Sequence, residues 1–263
     1  MDAERVVREK YPVRAGAEHW RHDGGPLGIL LVHGFTGSPA SLRPAAEWFA
    51  QEGATVVLPR LPGHGTHWED LAGTTWEDWY GEAEQALADI SSRCEDVTVL
   101  ALSMGGALAV RLAAAHPDRV RAMALVNPFL VDPRPGLGGA ILPLLFVRST
   151  KGVINDIKKP GQDEIGYERV PVRVLPSLAK LLKLAQADLP RVRAPLLLFR
   201  SPQDHVVKRA SAQMIMQRIG STEKELVQLP NSYHVATLDH DAPMIQERVL
   251  AFARAHAIGE ERA

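Results

Sequence analysis

Val97-Thr98-Val99-Leu100-Ala101-Leu102-Ser103-Met104-Gly105-Gly106-Ala107 is the stretch from which the fold is read. The apolar, β-branched run up to Leu102 has the composition of a buried strand. From Met104 to His116 the chain is rich in good helix formers. A lone serine therefore sits between a strand and a helix, with small residues two before and two after it. This is the nucleophile-elbow pattern, which holds a serine hydroxyl at the carboxyl edge of a sheet. The first small position usually carries glycine; here it carries Ala101, which implies a turn either slightly less crowded or more strained.

Outward from this point, short apolar runs alternate with helical patterns. The spacing predicts strands at 28–33, 55–59, 97–102, 121–127, 195–200 and 225–229. Helices are predicted at 41–51, 75–91, 104–116, 178–187, 208–219 and 243–256. Ser41 is placed to cap the first helix, and Gly53 follows its end. Such alternation argues an α/β fold: a mostly parallel sheet with helices on both faces. Between Pro128 and Pro190 it breaks down into prolines, the cluster Gly136-Leu137-Gly138-Gly139 and a polar patch from Lys151 to Asp163. We expect residues 1–127 and 191–263 to form the core, and 128–190 to be a small helical cap inserted over the site.

The chain has 263 residues, enough for one α/β core; it is 46% hydrophobic and 23% charged, with a net charge of -1. Nucleic-acid binding has no basic footprint here. The single cysteine, Cys94, cannot form an internal disulfide, which fits a reducing compartment. The charged start, Met1 to Lys10, does not read as a secretory signal. The most apolar segment, 136–147, contains Pro143 and is too short to span a bilayer, which takes about 20 residues. A cytoplasmic protein, monomer or homodimer, is expected. Segment 136–147 could hold an acyl chain, touch a membrane or micelle transiently, or pack inward.

A serine hydroxyl needs a base, and the base needs an acid to orient it. In a fold of this kind the order along the chain is Ser, acid, His. Asp204 follows the strand at 195–200, and His234 follows the strand at 225–229 just before the last helix. Asp204 could instead be a helix cap. His205 is a second candidate base, but it precedes the last strand. An oxyanion hole requires two backbone N–H groups. Met104, next to the serine at a helix start, is expected to give one. Phe35, in His33-Gly34-Phe35-Thr36-Gly37 after the strand at 28–33, is expected to give the other. The Phe35 and Met104 side chains would then flank the acyl group. Gly63-His64-Gly65 reads as packing beneath these loops. His64 and His67 make only a weak metal pattern, and no metal or cofactor is expected.

Taken together, LLVHGFTGSP, LPRLPGHGTHWED, LSMGG, DHVV and NSYHVATLDHD resemble the serine α/β-hydrolases, and more narrowly the bacterial monoacylglycerol lipases and their carboxylesterase relatives. The resemblance runs from Tyr11 to His256. It implies a Ser103–Asp204–His234 triad, an oxyanion hole at Phe35 and Met104, and cleavage of a monoacylglycerol into glycerol and fatty acid. It also implies a polar cap residue for the glycerol hydroxyls, for which Glu164 is the candidate, and places Val153 near the junction of acyl chain and alcohol. A broad short- or medium-chain carboxylesterase is the alternative. Epoxide hydrolases and dehalogenases of this fold use aspartate where this chain has Ser103, and a non-catalytic member would usually lack part of the triad.

Overall fold

The computed structural model describes residues 7–132 and 147–257. Numbered in chain order, strands β1 (Trp20–His22), β2 (Leu27–Val32), β3 (Thr55–Leu58), β4 (Asp96–Leu102), β5 (Val120–Val126), β8 (Leu196–Arg200) and β9 (Lys224–Gln228) form a seven-stranded sheet. Its order is β1-β3-β2-β4-β5-β8-β9. All pairings are parallel except β1 with β3.

The inner strands β2, β3, β4, β5 and β8 are almost unbroken buried runs because both faces of the sheet are covered, whereas the edge strands β1 and β9 are largely exposed. Side chains alternate between the faces. Leu30, Val32, Val97, Val99, Ala101, Met123, Leu125 and Leu198 pack with α3 (Trp76–Ser91), α4 (Met104–Ala115) and α5 (Leu175–Asp188). Ile29, Leu31, Leu100, Leu102, Ala124, Val126 and Phe199 pack with α1 (Arg43–Gln51) and α7 (Ala242–Ala255) on the other face. Helix α6 (Ala210–Arg218) joins the first group through Ala212 and Ile215.

Several boundaries depart from the sequence reading. Ser41 does not cap α1. Ser38 caps a short 3-10 turn ahead of the helix, its hydroxyl accepting from the Ala40 N–H, and α1 begins at Arg43 after Leu42 with no side-chain cap. The edge strand β1 and the one-turn helix α2 (Trp68–Leu71) were not expected; neither is long enough to show a period. Helix α5 starts at Leu175, with Pro176 in its first turn where a missing N–H costs nothing. Ahead of α5, the described part of the insert contains a hairpin, β6 (Ser149–Lys151) with β7 (Arg169–Pro171), the loop between them and a 3-10 turn at Val172–Val174. The apolar segment 136–147 lies outside the described residues except for Val147, which is exposed.

Candidate active site

The carboxyl ends of β2, β4, β8 and β9 carry the loops that hold the candidate residues. Ser103 follows β4 directly, with φ 55° and ψ -120°. This backbone conformation is one L-residues rarely adopt. It is held by bonds on both sides: the Ser103 N–H donates to the Val126 carbonyl (3.0 Å), and the Ser103 carbonyl accepts from the Phe129 N–H (2.9 Å). Gly105 is required two residues on, because a Cβ there would lie 2.2 Å from the Val32 carbonyl oxygen. Ala101 causes no such conflict. It is still within β4, and its methyl group is buried in the core beside α4, so the strain falls on Ser103 and not on Ala101.

Asp204 and His234 meet: His234 Nδ1 lies 3.0 Å from Asp204 Oδ2. The other carboxylate oxygen, Oδ1, accepts the Val206 and Val207 N–H groups, each at 2.8 Å. A third partner was not foreseen. Arg200, buried at the end of β8, donates from Nη1 to the same Oδ2 at 2.6 Å and from Nη2 to the Val207 carbonyl at 2.8 Å. Burial opposes ionisation of Asp204. The His234 contact, the Val207 N–H and the Arg200 charge outweigh it and hold the carboxyl below its usual range. The acid loop thus presents a fixed anion to one ring nitrogen of His234. Among the described residues, the Ser103 hydroxyl makes no hydrogen bond to His234. Catalytic hydrogen bonds often tighten only in the substrate complex.

Asn127 joins the strand ends. It follows β5 at φ 44°, fully buried. Its Nδ2 donates to Ser201 Oγ (2.9 Å) and the His234 carbonyl (2.8 Å), and its Oδ1 accepts from the Ser201 N–H (2.8 Å). It thereby links the Ser103 turn to both the acid and base loops. His205 does not compete for Asp204: its side chain is 58% exposed and pairs with Asp156 at 2.7 Å.

The loop after β2 passes beside the serine, and a Cβ at Gly34 would stand 3.1 Å from Ser103 Cβ. Among the described residues, the Phe35 and Met104 N–H groups have no protein acceptor. Met104 opens α4, where free N–H groups and the helix dipole favour a negative charge. The Met104 side chain is fully buried, packed in the same core cluster as α4. Phe35 is half-buried, its ring 5.7 Å from that of Trp79. Beneath the loop His33 accepts from the Leu61 N–H at Nε2 and faces the Gly34 carbonyl with Nδ1, so it is neutral. Burial lowers its pKa to about 4, and that of His64 falls well below the usual value for the same reason.

Glu164 reaches the site from the insert. Its Oε1 accepts the Asn155 N–H at 2.8 Å, and its Oε2 lies 3.2 Å from where a Cβ on Gly37 would be. Its main-chain carbonyl accepts from Ser38 Oγ, and the Tyr167 N–H donates to the Thr36 carbonyl. Burial raises the Glu164 pKa, against the pull of the Asn155 N–H and the His234 charge. Val153 is 60% exposed and lines an open groove of about 730 Å³ together with Ile154 and Glu168. No group of residues suited to a metal ion occurs among the described residues, and none of their helices is long and apolar enough to cross a membrane.

The family model described as serine aminopeptidase, S33 (Hydrolase_4) matches residues 27–241, from β2 to the start of the last helix. The chain belongs to this family. Within it, the chain is 46% identical over 254 residues to a thermostable monoacylglycerol lipase of Bacillus sp. (strain H-257), covering 95% of this chain and 100% of that one. It is 25% identical to a carboxylesterase of Bacillus subtilis (strain 168), covering 87% and 93% of the two chains. A solved structure from work on LipS and LipT, two metagenome-derived lipolytic enzymes, superposes with a TM-score of 0.88 at 42% identity, covering 93% of this chain and 100% of that one. The family's architecture is the α/β-hydrolase fold, and this chain is a serine hydrolase with that fold.

Proposed function

We propose that the chain is a monoacylglycerol lipase acting through an acyl-serine at Ser103. The observation that carries this reading is the Asp204–His234 contact at the sheet edge where the strained Ser103 turn emerges. Full-length similarity to the Bacillus monoacylglycerol lipase supports the substrate class. In the first step His234 Nε2 takes the Ser103 proton as Oγ attacks the ester carbonyl. The Phe35 and Met104 N–H groups hold the oxyanion, and Asp204 stabilises the imidazolium. His234 then returns the proton to the departing glycerol oxygen. Water attacks the acyl-serine with His234 again as base, releasing the fatty acid.

Glu164 is the proposed glycerol contact. A carboxyl backed against the Gly37 main chain, with burial favouring its neutral form, suits hydrogen bonding to uncharged hydroxyls. Residues 128–190 are proposed as the insert that covers the site. Helix α5 of that segment packs on α3 and α4, which leaves the part before it to face the substrate. Val153 is proposed to lie near the junction of acyl chain and alcohol. A cytoplasmic location, transient contact with a membrane or micelle surface, and a monomeric or homodimeric state complete the reading.

The test is hydrolysis of a medium-chain monoacylglycerol beside the matching di- and triacylglycerols and methyl ester. Strong preference for the monoacylglycerol is expected, with turnover abolished in Ser103→Ala and KM for the monoacylglycerol raised in Glu164→Gln. Equal turnover of the methyl ester would make the protein a broad carboxylesterase.

A further inference from the structure

Asp156 lies in the insert, far in sequence from the acid and base loops, yet it touches both. Its side chain is 10% exposed. Oδ2 accepts the His234 N–H at 3.1 Å and the His205 N–H at 3.1 Å. Oδ1 meets His205 Nδ1 at 2.7 Å, and the Asp156 carbonyl accepts the Val235 N–H at 3.1 Å. One carboxylate therefore ties the residue after Asp204 to the main chain of His234. The adjoining Lys158 and Lys159 N–H groups donate to Asp239, which also accepts the Tyr233 N–H. The same stretch of insert carries Glu164 against the loop after β2.

We infer that Asp156 is a positioning residue: it sets the spacing between Asp204 and His234 and makes that spacing depend on the seating of the insert. The inference rests on the triad reading above. Asp156 needs no contact with substrate. Its carboxylate holds two backbone N–H groups that would otherwise lose their partner when water is excluded, and charge-assisted bonds of this kind are the stronger class. If His234 drifts from Asp204, the imidazole loses its orientation and proton transfer slows, while Glu164 keeps its own bonds to Ser38 Oγ and the Asn155 N–H and so its place. The signature is a loss in kcat at constant KM.

The experiment compares Asp156→Ala, Asp156→Asn, Asp156→Glu and His205→Gln with the natural protein and with Ser103→Ala. It measures kcat and KM on a monoacylglycerol and on a p-nitrophenyl butyrate probe, the rate of fluorophosphonate labelling, and the thermal midpoint. Asp156→Ala is expected to lower kcat by about ten- to a hundredfold, the worth of one or two hydrogen bonds to a charged group. KM should stay within about threefold, and labelling should slow in parallel. Asp156→Asn keeps an acceptor for the His234 N–H without the charge and should fall between Asp156→Ala and the natural protein. His205→Gln keeps the His234 arm and should stay near the natural rate. If Asp156→Ala does not fold, Asp156→Glu carries the test: it keeps the charge, shifts the oxygens by one methylene and must be slower than Asp156→Asn. A variant that only lowers the thermal midpoint, or only raises KM, overturns the inference. Turnover retained by Ser103→Ala would instead overturn the triad reading, and this inference with it.

Discussion

Asp204 Oδ2 is shared by two donors, Arg200 Nη1 at 2.6 Å and His234 Nδ1 at 3.0 Å. Arg200 Nη1 and Nη2 together hold the loop from Asp204 to Val207. Arg200→Met is therefore expected to lower kcat by about tenfold, the worth of one hydrogen bond to a charged group. An unchanged kcat would mean that Arg200 only packs the loop. The variant should also lose stability, since it strips a buried carboxylate of a charged partner. Ser103, Asp204 and His234 could be found from the sequence because each follows a predicted strand in a required order. Arg200, Asn127 and Asp156 could not, because what they touch is distant along the chain. Arg200 and Asn127 leave one trace, a polar residue where a buried apolar run ends; Asp156, in a loop of the insert, leaves none.

At the scale of elements, the inner parallel strands were legible because burial on two faces demands an unbroken apolar run. Strand β1 was not: it is three residues, Trp-Arg-His, paired on one side only and largely exposed. The hairpin β6–β7 hid for the same reason, its first strand reading Ser-Thr-Lys. Helix ends were missed where capping is indirect. Ser41 reads as a cap, but the chain turns once more before α1, and Ser41 Oγ donates to the Ser38 carbonyl instead. Helix α5 was legible through Leu178, Leu181, Leu182 and Ala185, which form the stripe facing α3 and α4. Periodicity reports that a face is buried, not what buries it, so α5 was grouped with the cap from sequence although it packs on the core.

For the molecule as a whole, the acid limit of stability is set partly by histidines folded in neutral form. The His33 and His64 rings are 5.2 Å apart beneath the loop after β2. Burial lowers His33 from 6.5 to about 4 and lowers His64 as well. Between these pH values the unfolded chain binds a proton that the folded chain refuses, so stability rises with pH across that window. His33 alone contributes about 3 kcal/mol that is present above pH 6.5 and lost on descent to about pH 4. The thermal midpoint should be flat above the window and fall steadily within it. Asp204, whose pKa is depressed, adds stability that disappears only at lower pH. A midpoint unchanged from pH 7 to pH 4.5 would show that neither imidazole resists protonation.

The turn at Ser103 has a cost outside the reaction. At φ 55° the residue sits where glycine would be at ease and serine is not. Strain of this kind is worth about 1–3 kcal/mol. Ser103→Gly should thus raise the thermal midpoint by several degrees, at about 2–4 °C per kcal/mol for a domain of this size, while ending turnover. Heat selection without a substrate would favour the dead molecule over the live one, and an ageing preparation would keep its inactive copies longest.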